Sequence, residues 1–119
     1  PRYPGVELTW EEQQLLAKLI WLEARGESKE GQQAVAEVVL NRLVSGQFGD
    51  TLEEVIYGEG QFRSSPFLGE AEAWQAQFEA LDAALEGPNI LPMDVMYFAT
   101  YPENEQVWGQ IERHIFCYG

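Results

Sequence analysis

The sequence predicts a single α+β domain that is mostly helical and ends in a small β-hairpin. Its 119 residues suffice for one hydrophobic core and are too few for two. Apolar residues recur at helical spacing through the first three quarters of the chain, whereas the last quarter is rich in aromatic and β-branched residues. No repeat or internal boundary interrupts this order. We therefore expect one domain over residues 1–119, with its core at about 9–118.

Capping residues set the bounds of the first two helices. Thr9 and Glu12 form a capping box, which opens a helix over about 10–24. Ser28 caps a second helix over about 29–45. Because the connection between these helices is very short, we expect them to form a tight pair that meets at a corner.

The remaining elements are predicted from turn residues and residue composition. A helix of one or two turns follows Thr51, and the segment 58–69, with three glycines and a proline, is expected to be a loop. A third long helix is expected over about 70–86. The segments 94–100 and 111–118 form the predicted hairpin.

The charge of the chain excludes several classes of partner. With a net charge of −13 and seven scattered basic residues, the chain lacks the basic patch that binds phosphate groups. Nucleic acids and anionic membrane surfaces are disfavoured for this reason, whereas an uncharged or mixed-charge polymer such as a polysaccharide is compatible. No stretch approaches the roughly 18 apolar residues that a membrane helix needs, so we expect no membrane insertion.

Glu23 is the strongest candidate for a catalytic residue. It follows Leu19 by four residues and Ile20 by three, which places it on the apolar side of the first helix, close to the expected end of that helix. Packing rarely places a carboxylate there, because taking an ionised acid out of water is costly. A buried carboxyl group has a raised pKa, which keeps a proton available for general acid catalysis. Alternatively, Glu23 pairs with Arg25 or caps the next helix.

Neither a cysteine nucleophile nor a metal site is predicted. The single cysteine, Cys117, excludes an intramolecular disulfide. His114 lies three residues away, but residues three apart in a strand point to opposite faces, so Cys117 is expected to be a small buried side chain. No second histidine and no ligand spacing accompany His114, so we expect no metal and no cofactor.

Several sequence blocks, in order, resemble the SleB/CwlJ-type family of bacterial cell wall hydrolases. The first block is Glu-Ala-Arg-Gly-Glu at 23–27, continued by Glu-Gly-Gln at 30–32 and by the run at 34–42 that finishes in Asn-Arg. The others lie at 55–62, 96–98 and 113–116. The resemblance covers roughly residues 13–118, nearly the whole chain.

The resemblance implies a lysozyme-like lytic transglycosylase fold and a peptidoglycan substrate. It implies cleavage between N-acetylmuramic acid and N-acetylglucosamine, with Glu23 as the acid. The same carboxylate would then act as the base toward the muramic acid 6-hydroxyl, which closes a 1,6-anhydro ring. The second carboxylate of ordinary glycosidases can therefore be absent. The resemblance also implies action outside the cytoplasm, at the cell wall or spore cortex, and we expect a monomer.

Further positions of the blocks are candidate site residues. Glu27 matches the second glutamate of the motif as a catalytic candidate, or it is an acid favoured by the dipole of the next helix. Gln61 and Phe62 lie in the predicted loop, where they could bind an N-acetyl group, although Phe62 could equally anchor the loop in the core. Tyr97 and His114 are expected to face each other across the hairpin. Tyr97 would line the sugar groove or cover a core edge, and His114 would contact substrate or serve as a hydrogen-bonded structural histidine.

The chain departs from the family pattern at two places. Leu22 replaces the glycine that commonly precedes the catalytic glutamate, and Ala99-Thr100 stands where many relatives carry asparagine and proline. We expect Arg25, Asn41 and Arg42 to be structural.

Two other functions remain open at this point. A true muramidase would use water and a second carboxylate, such as Glu27 or Glu37. A non-catalytic module that binds the wall would use the same fold without turnover, and the two departures from the family pattern keep this alternative open.

Overall fold

A computed structural model of the protein describes residues 2–58 and 62–119 as a helical layer packed against a small C-terminal sheet. No helix in these ranges is long and apolar enough to cross a membrane. The helices are α1 (Trp10–Ala24), α2 (Lys29–Ser45), α3 (Leu52–Tyr57) and α4 (Gln75–Glu86), with a 3₁₀ helix at Ser65–Glu70 between the last two. The strands are β1 (Val95–Ala99), β2 (Val107–Ile111) and β3 (His114–Tyr118).

The predicted bounds of α1 and α2 are confirmed, and both helices begin at the predicted caps. The Glu12 backbone N–H donates to Thr9 Oγ1 at 3.1 Å, and the Thr9 backbone N–H donates to Glu12 Oε1 at 2.9 Å. At the start of α2, Ser28 Oγ accepts the N–H of Gly31 at 3.1 Å. Gly46 ends α2 with a φ of 72°, a conformation that glycine adopts without strain.

The prediction for residues 58–86 is wrong in two places. Part of the predicted loop forms the 3₁₀ helix, which has a proline in its first turn. The helix expected from about residue 70 begins only at Gln75, because the chain is extended at Ala71. The Trp74 backbone N–H donates to the side-chain oxygen of Gln77 at 2.9 Å, which fixes the later start of α4.

The predicted hairpin is in fact two strands of a three-stranded antiparallel sheet with the order β1-β3-β2. The two predicted segments do pair, as β1 and β3, but a tight turn at 112–113 falls inside the second segment and adds β2 at the edge. Glu112 adopts a φ of 50° in this turn. The expectation that Tyr97 faces His114 is wrong, because Tyr97 pairs with Cys117. Cys117 is buried, as expected.

The helix α2 is the centre of the molecule. Every residue over 34–42 is buried. One apolar cluster joins α2 to α1, α3 and α4, and includes Val35, Val39 and Leu40. A second cluster joins the other side of α2 to the sheet through Ala34 and Val38. The helix is therefore enclosed on all sides, which leaves its buried polar residues dependent on partners inside the protein.

These partners are supplied by the segment 90–96, which leads into β1. Glu37 accepts backbone N–H groups of this segment at 2.8 and 3.1 Å. Asn41 Nδ2 donates to two of its carbonyl oxygens at 3.0 and 3.1 Å, and Arg42 Nε donates to the carbonyl oxygen of Met96 at 2.7 Å. We call Glu37, Asn41 and Arg42 the polar ladder. It fixes the position at which β1 begins relative to α2.

Removing one side chain of the polar ladder should destabilise the protein markedly. Asn41→Ala leaves the Tyr3 hydroxyl, which donates to Asn41 Oδ1 at 2.6 Å, and two backbone carbonyls without their partner. We expect the free energy of unfolding to fall by about 2–4 kcal/mol, measured by urea denaturation. Gln47→Ala, at an exposed position just beyond α2, is the control and should change it by less than about 0.5 kcal/mol. Equal stability of the two variants would contradict the role of the ladder.

Candidate active site

A groove of about 400 Å³ opens where the end of α1 meets β1, the start of β3 and the segment before the 3₁₀ helix. It combines carboxylates, guanidinium groups and aromatic rings. Its lining residues are Glu23, Arg42, Phe62, Arg63, Phe98, Ala99, Thr100, Tyr101, Glu103 and His114.

Glu23 lies at this groove, on the penultimate residue of α1. Leu19 and Ile20, one turn earlier, are fully buried, whereas Glu23 is half-buried at the edge of the same face. Its Oε1 accepts a hydrogen bond from the Ser64 hydroxyl at 2.5 Å. The alternative pairing with Arg25 is not observed, because the Arg25 guanidinium stacks on the ring of Trp21 at 4.2 Å. Glu23 is therefore the carboxylate that the helix end presents to the groove.

Glu27 lies outside the set of groove-lining residues. Its buried carboxylate accepts the Arg113 backbone N–H at 3.2 Å and Arg113 Nε at 2.9 Å. On the other side of the same turn, Glu112 Oε1 accepts the backbone N–H of Ser28 at 2.6 Å. The acid that serves the N-terminus of α2 is thus Glu112. The two glutamates together hold the β2–β3 turn against the corner between α1 and α2.

His114 is buried and lines the groove at the start of β3. Its ring makes an edge contact with Phe98, with ring centroids 5.2 Å apart. Its Nδ1 lies 3.8 Å from Glu27 Oε1 and has no hydrogen-bond partner in the part of the chain that the structure describes. Burial lowers the pKa of His114 below its ordinary value of 6.5, although the charges of Glu27 and Glu23 act in the opposite direction. The imidazole is therefore neutral at neutral pH.

Arg42 has a second role that the sequence did not reveal. Besides bonding to Met96 at the start of β1, it lines the groove, and its guanidinium lies 4.5 to 5.3 Å from the ring centroids of Phe48, Phe62 and Tyr97. Burial lowers the pKa of Arg42 to about 10, so it still carries its charge at neutral pH. Phe62 also lines the groove, whereas Tyr97 is not among the lining residues and contacts Arg42.

The remaining candidate residues are distributed as follows. Gln61 lies outside the described residues. Leu22, beside Glu23, packs against the core, while Ala99 and Thr100 line the groove where the family pattern has asparagine and proline. The sequence did not predict the contact of Ser64 with Glu23, because Ser64 belongs to a segment predicted to be a loop and lies 41 residues from Glu23. A serine near a proline is a typical helix start, but this local signal does not indicate contact with Glu23.

A half-buried glutamate at a helix end, facing a groove lined by aromatic rings, is compatible with the class of enzymes that cleave glycosidic bonds. Residues 26–117 match the family model described as Cell Wall Hydrolase. The chain therefore belongs to the cell wall hydrolase family, and the predicted family and enzyme class are confirmed. This match begins three residues after Glu23.

Curated relatives carry the name spore cortex-lytic enzyme. The protein from Oceanobacillus iheyensis is 36% identical over 114 residues, that from Bacillus subtilis 34% over 116, and that from Bacillus cereus 48% over 118. Each alignment covers 87% of this chain and 40%, 36% and 43% of the respective relative. The chain thus spans about two fifths of the length of the curated relatives it matches.

Two solved structures share the fold. The catalytic domain of the Bacillus cereus SleB protein matches with a TM-score of 0.82 and 26% identity, covering 96% of this chain and 94% of that one. The catalytic domain of the germination-specific lytic transglycosylase SleB from Bacillus anthracis matches with a TM-score of 0.81 and 26% identity, covering 96% and 98%. The predicted fold class is confirmed.

The buried, neutral His114 should make stability depend on pH. Because the pKa of His114 is lower in the folded protein than in the unfolded chain, the unfolded chain binds more protons as the pH falls below about 6.5. The free energy of unfolding therefore falls progressively as the pH is lowered below about 6.5. The difference in free energy of unfolding between the wild type and His114→Asn should therefore decrease between about pH 7.5 and 5 in urea titrations. A constant difference over this range would contradict the burial of a neutral imidazole.

Proposed function

We propose that this chain is a lytic transglycosylase that cleaves peptidoglycan between N-acetylmuramic acid and N-acetylglucosamine. The observation that carries the proposal is the position of Glu23, a half-buried carboxyl group held at the edge of an open groove. The names of the relatives and of the Bacillus anthracis structure support the substrate and the reaction type. They also support action outside the cytoplasm, on spore cortex or another cell wall. A monomer without a cofactor stays our expectation.

The reaction needs one carboxyl group and no water. Protonated Glu23 gives its proton to the glycosidic oxygen, the bond from that oxygen to C1 of the muramic acid breaks, and an oxocarbenium-like state develops. The resulting carboxylate takes the proton of the 6-hydroxyl while O6 bonds to C1. Glu23 is protonated again at the end, and the products are a 1,6-anhydro end and a free hydroxyl on N-acetylglucosamine. Acid and base are thus the same residue.

The groove offers surfaces that suit a glycan strand. The rings of Phe62 and Phe98, whose centroids lie 6.0 Å apart, provide apolar walls against which sugar rings can pack. The exposed Tyr101 extends this wall toward solvent. His114 supplies a polar ring on the same side as Phe98, so we propose it as a substrate contact, as we do for Phe62. Tyr97 is not among the lining residues, so we propose that it supports the groove through its contact with Arg42. Gln61 remains a candidate contact.

The hydrolytic alternative requires a second carboxylate at the groove. Both residues proposed for this role from the sequence form hydrogen bonds away from the groove: Glu27 bonds to Arg113, and Glu37 bonds to the backbone before β1. Among the described residues, Glu103 is the other carboxylate that lines the groove, and it is exposed. A muramidase reaction would use Glu103 to activate water. We propose the transglycosylase reaction because Glu23 alone accounts for both proton transfers.

Replacing Glu23 tests the acid, and the products test the reaction. Glu23→Gln should lower the rate of cleavage of purified peptidoglycan by at least about 1,000-fold, because the amide has no acidic proton to donate. Glu103→Gln is the matched control and should stay within about 5-fold of the wild type. Mass spectrometry of wild-type digests should show 1,6-anhydro ends. Retained activity in a folded Glu23→Gln variant would refute the proposal, and reducing ends lost with Glu103→Gln would establish the muramidase.

Glu27 is proposed as a positioning residue and not as a proton donor, which Glu27→Gln tests. Losing the charged partner of Arg113 should lower the free energy of unfolding by about 1–3 kcal/mol and kcat by about 3- to 30-fold. Arg113→Gln should give similar losses, because it breaks the same contact from the other side. A stable Glu27→Gln variant as inactive as Glu23→Gln would instead assign Glu27 to the chemistry.

A further inference from the structure

We propose that Ser64 is the positioning residue for the catalytic acid. Its hydroxyl holds Oε1 of Glu23, which leaves the other carboxyl oxygen to serve the glycosidic bond. The inference rests on the proposed function of Glu23. It concerns the orientation of that side chain and assigns no chemistry to the serine.

The contact joins two distant parts of the chain at the wall of the groove. Ser64 Oγ donates to Glu23 Oε1 at 2.5 Å, and both residues are half-buried. In the described residues this is the hydrogen bond that Glu23 makes through its side chain. The two residues that precede Ser64, Phe62 and Arg63, both line the groove. The segment therefore brings the hydroxyl to the acid and forms part of the groove wall.

The Ser64 hydroxyl does not cap the 3₁₀ helix, although its position at the start of that helix would predict this role. Ser64 is the N-cap residue of that helix, where a serine ordinarily accepts a backbone N–H with its side chain. Here no side-chain capping hydrogen bond is formed. The helix begins instead with backbone bonds: Phe67 N–H donates to the Ser64 carbonyl at 2.8 Å, and Ser65 N–H donates to the Phe62 carbonyl at 3.2 Å. Removing the hydroxyl thus leaves the local hydrogen bonds of the helix in place.

A fixed hydroxyl donor at one oxygen has two consequences for the proposed reaction. The terminal torsion of a glutamate is broad, so a hydrogen bond at Oε1 selects one orientation of the carboxyl plane. Correct placement of the reacting groups supplies much of an enzyme's rate enhancement, so a small misplacement of the acid should lower kcat. The donor also stabilises the carboxylate that remains after the first proton transfer. The other charged or titratable groups that line the same groove, which substitution of Ser64 leaves in place, are Arg42, Arg63, Glu103, Tyr101 and His114.

Four substitutions separate positioning from structure. Ser64→Ala and Ser64→Cys remove the strong donor, Ser64→Thr keeps a hydroxyl, and Ser65→Ala is the matched control on the adjacent serine. With soluble glycan strands as substrate, the Ala and Cys variants should lose about 10- to 100-fold in kcat, with KM within about 3-fold of the wild type. Ser64→Thr should recover kcat to within about 5-fold, and Ser65→Ala should match the wild type.

The pH profile of kcat supplies a readout that a merely structural residue would not change. Loss of a hydroxyl donor disfavours the ionised carboxylate, so the alkaline limb of the profile should move to higher pH in Ser64→Ala and return in Ser64→Thr. Unfolding temperatures identify any variant that fails to fold. Ser64→Cys is close in size to serine and provides the second test if Ser64→Ala is unfolded.

The outcomes distinguish this inference from the function on which it rests. An unchanged kcat and an unmoved alkaline limb in a folded Ser64→Ala or Ser64→Cys variant would overturn the positioning role, even if Glu23→Gln is inactive. Activity in Glu23→Gln would overturn the proposed function itself. In the Glu23→Gln background, Ser64→Ala should lower the residual rate no further, because the two residues act as one unit. An additive loss would also overturn the inference.

Discussion

The structure depends on hydrogen bonds that pair buried polar groups of α2 with those of the segment 90–96, which comprises the loop before β1 and the first two residues of that strand. The polar ladder on α2 lies in a helix packed between two apolar clusters, so its residues are almost completely buried and need partners inside the protein. The segment has the complementary requirement, because residues 90–94 lie outside any helix or strand and residues 95–96 lie at the irregular start of β1, so their backbone groups need other partners. Each supplies what the other lacks. A helix and a loop that would each be costly to bury alone become stable together.

This constraint reaches the active site through one side chain, one strand and one turn. Arg42, a member of the ladder, is also part of the groove surface. The strand β1, which continues this segment, carries Phe98 and Ala99 to the groove. At the far end of the sheet, the β2–β3 turn is bound by Glu27 at the corner where α1 ends. The end of α1, and Glu23 with it, is therefore held from the side of α2 and from the side of the sheet.

Local interactions explain which elements were predictable. The bounds of α1 and α2 depend on caps and glycines within a few residues, so the sequence alone is sufficient for them. The start of α4 depends partly on a distant residue. The side-chain oxygen of Gln77 accepts the backbone N–H of Trp74 at 2.9 Å, and Gln77 Nε2 donates to Gln32 Oε1 on α2, also at 2.9 Å. Likewise, a run of extended residues does not reveal the tight turn at 112–113, which is held by contacts with the α1–α2 corner.

The sequence by itself determined that Glu23 is an acid on the apolar side of a helix end, since helical periodicity is a property of neighbouring residues. It also determined the family, because motif blocks in a fixed order can be recognised in the sequence without knowing which residues they contact. Only the tertiary structure decided what surrounds the acid. Ser64 is 41 residues away, and the ring that meets His114 is Phe98 and not Tyr97. The guanidinium of Arg42 contacts three aromatic rings from separate segments, one of which lines the groove. Contacts of this kind depend on strand register and on how loops cross the core, and no short stretch of sequence specifies either.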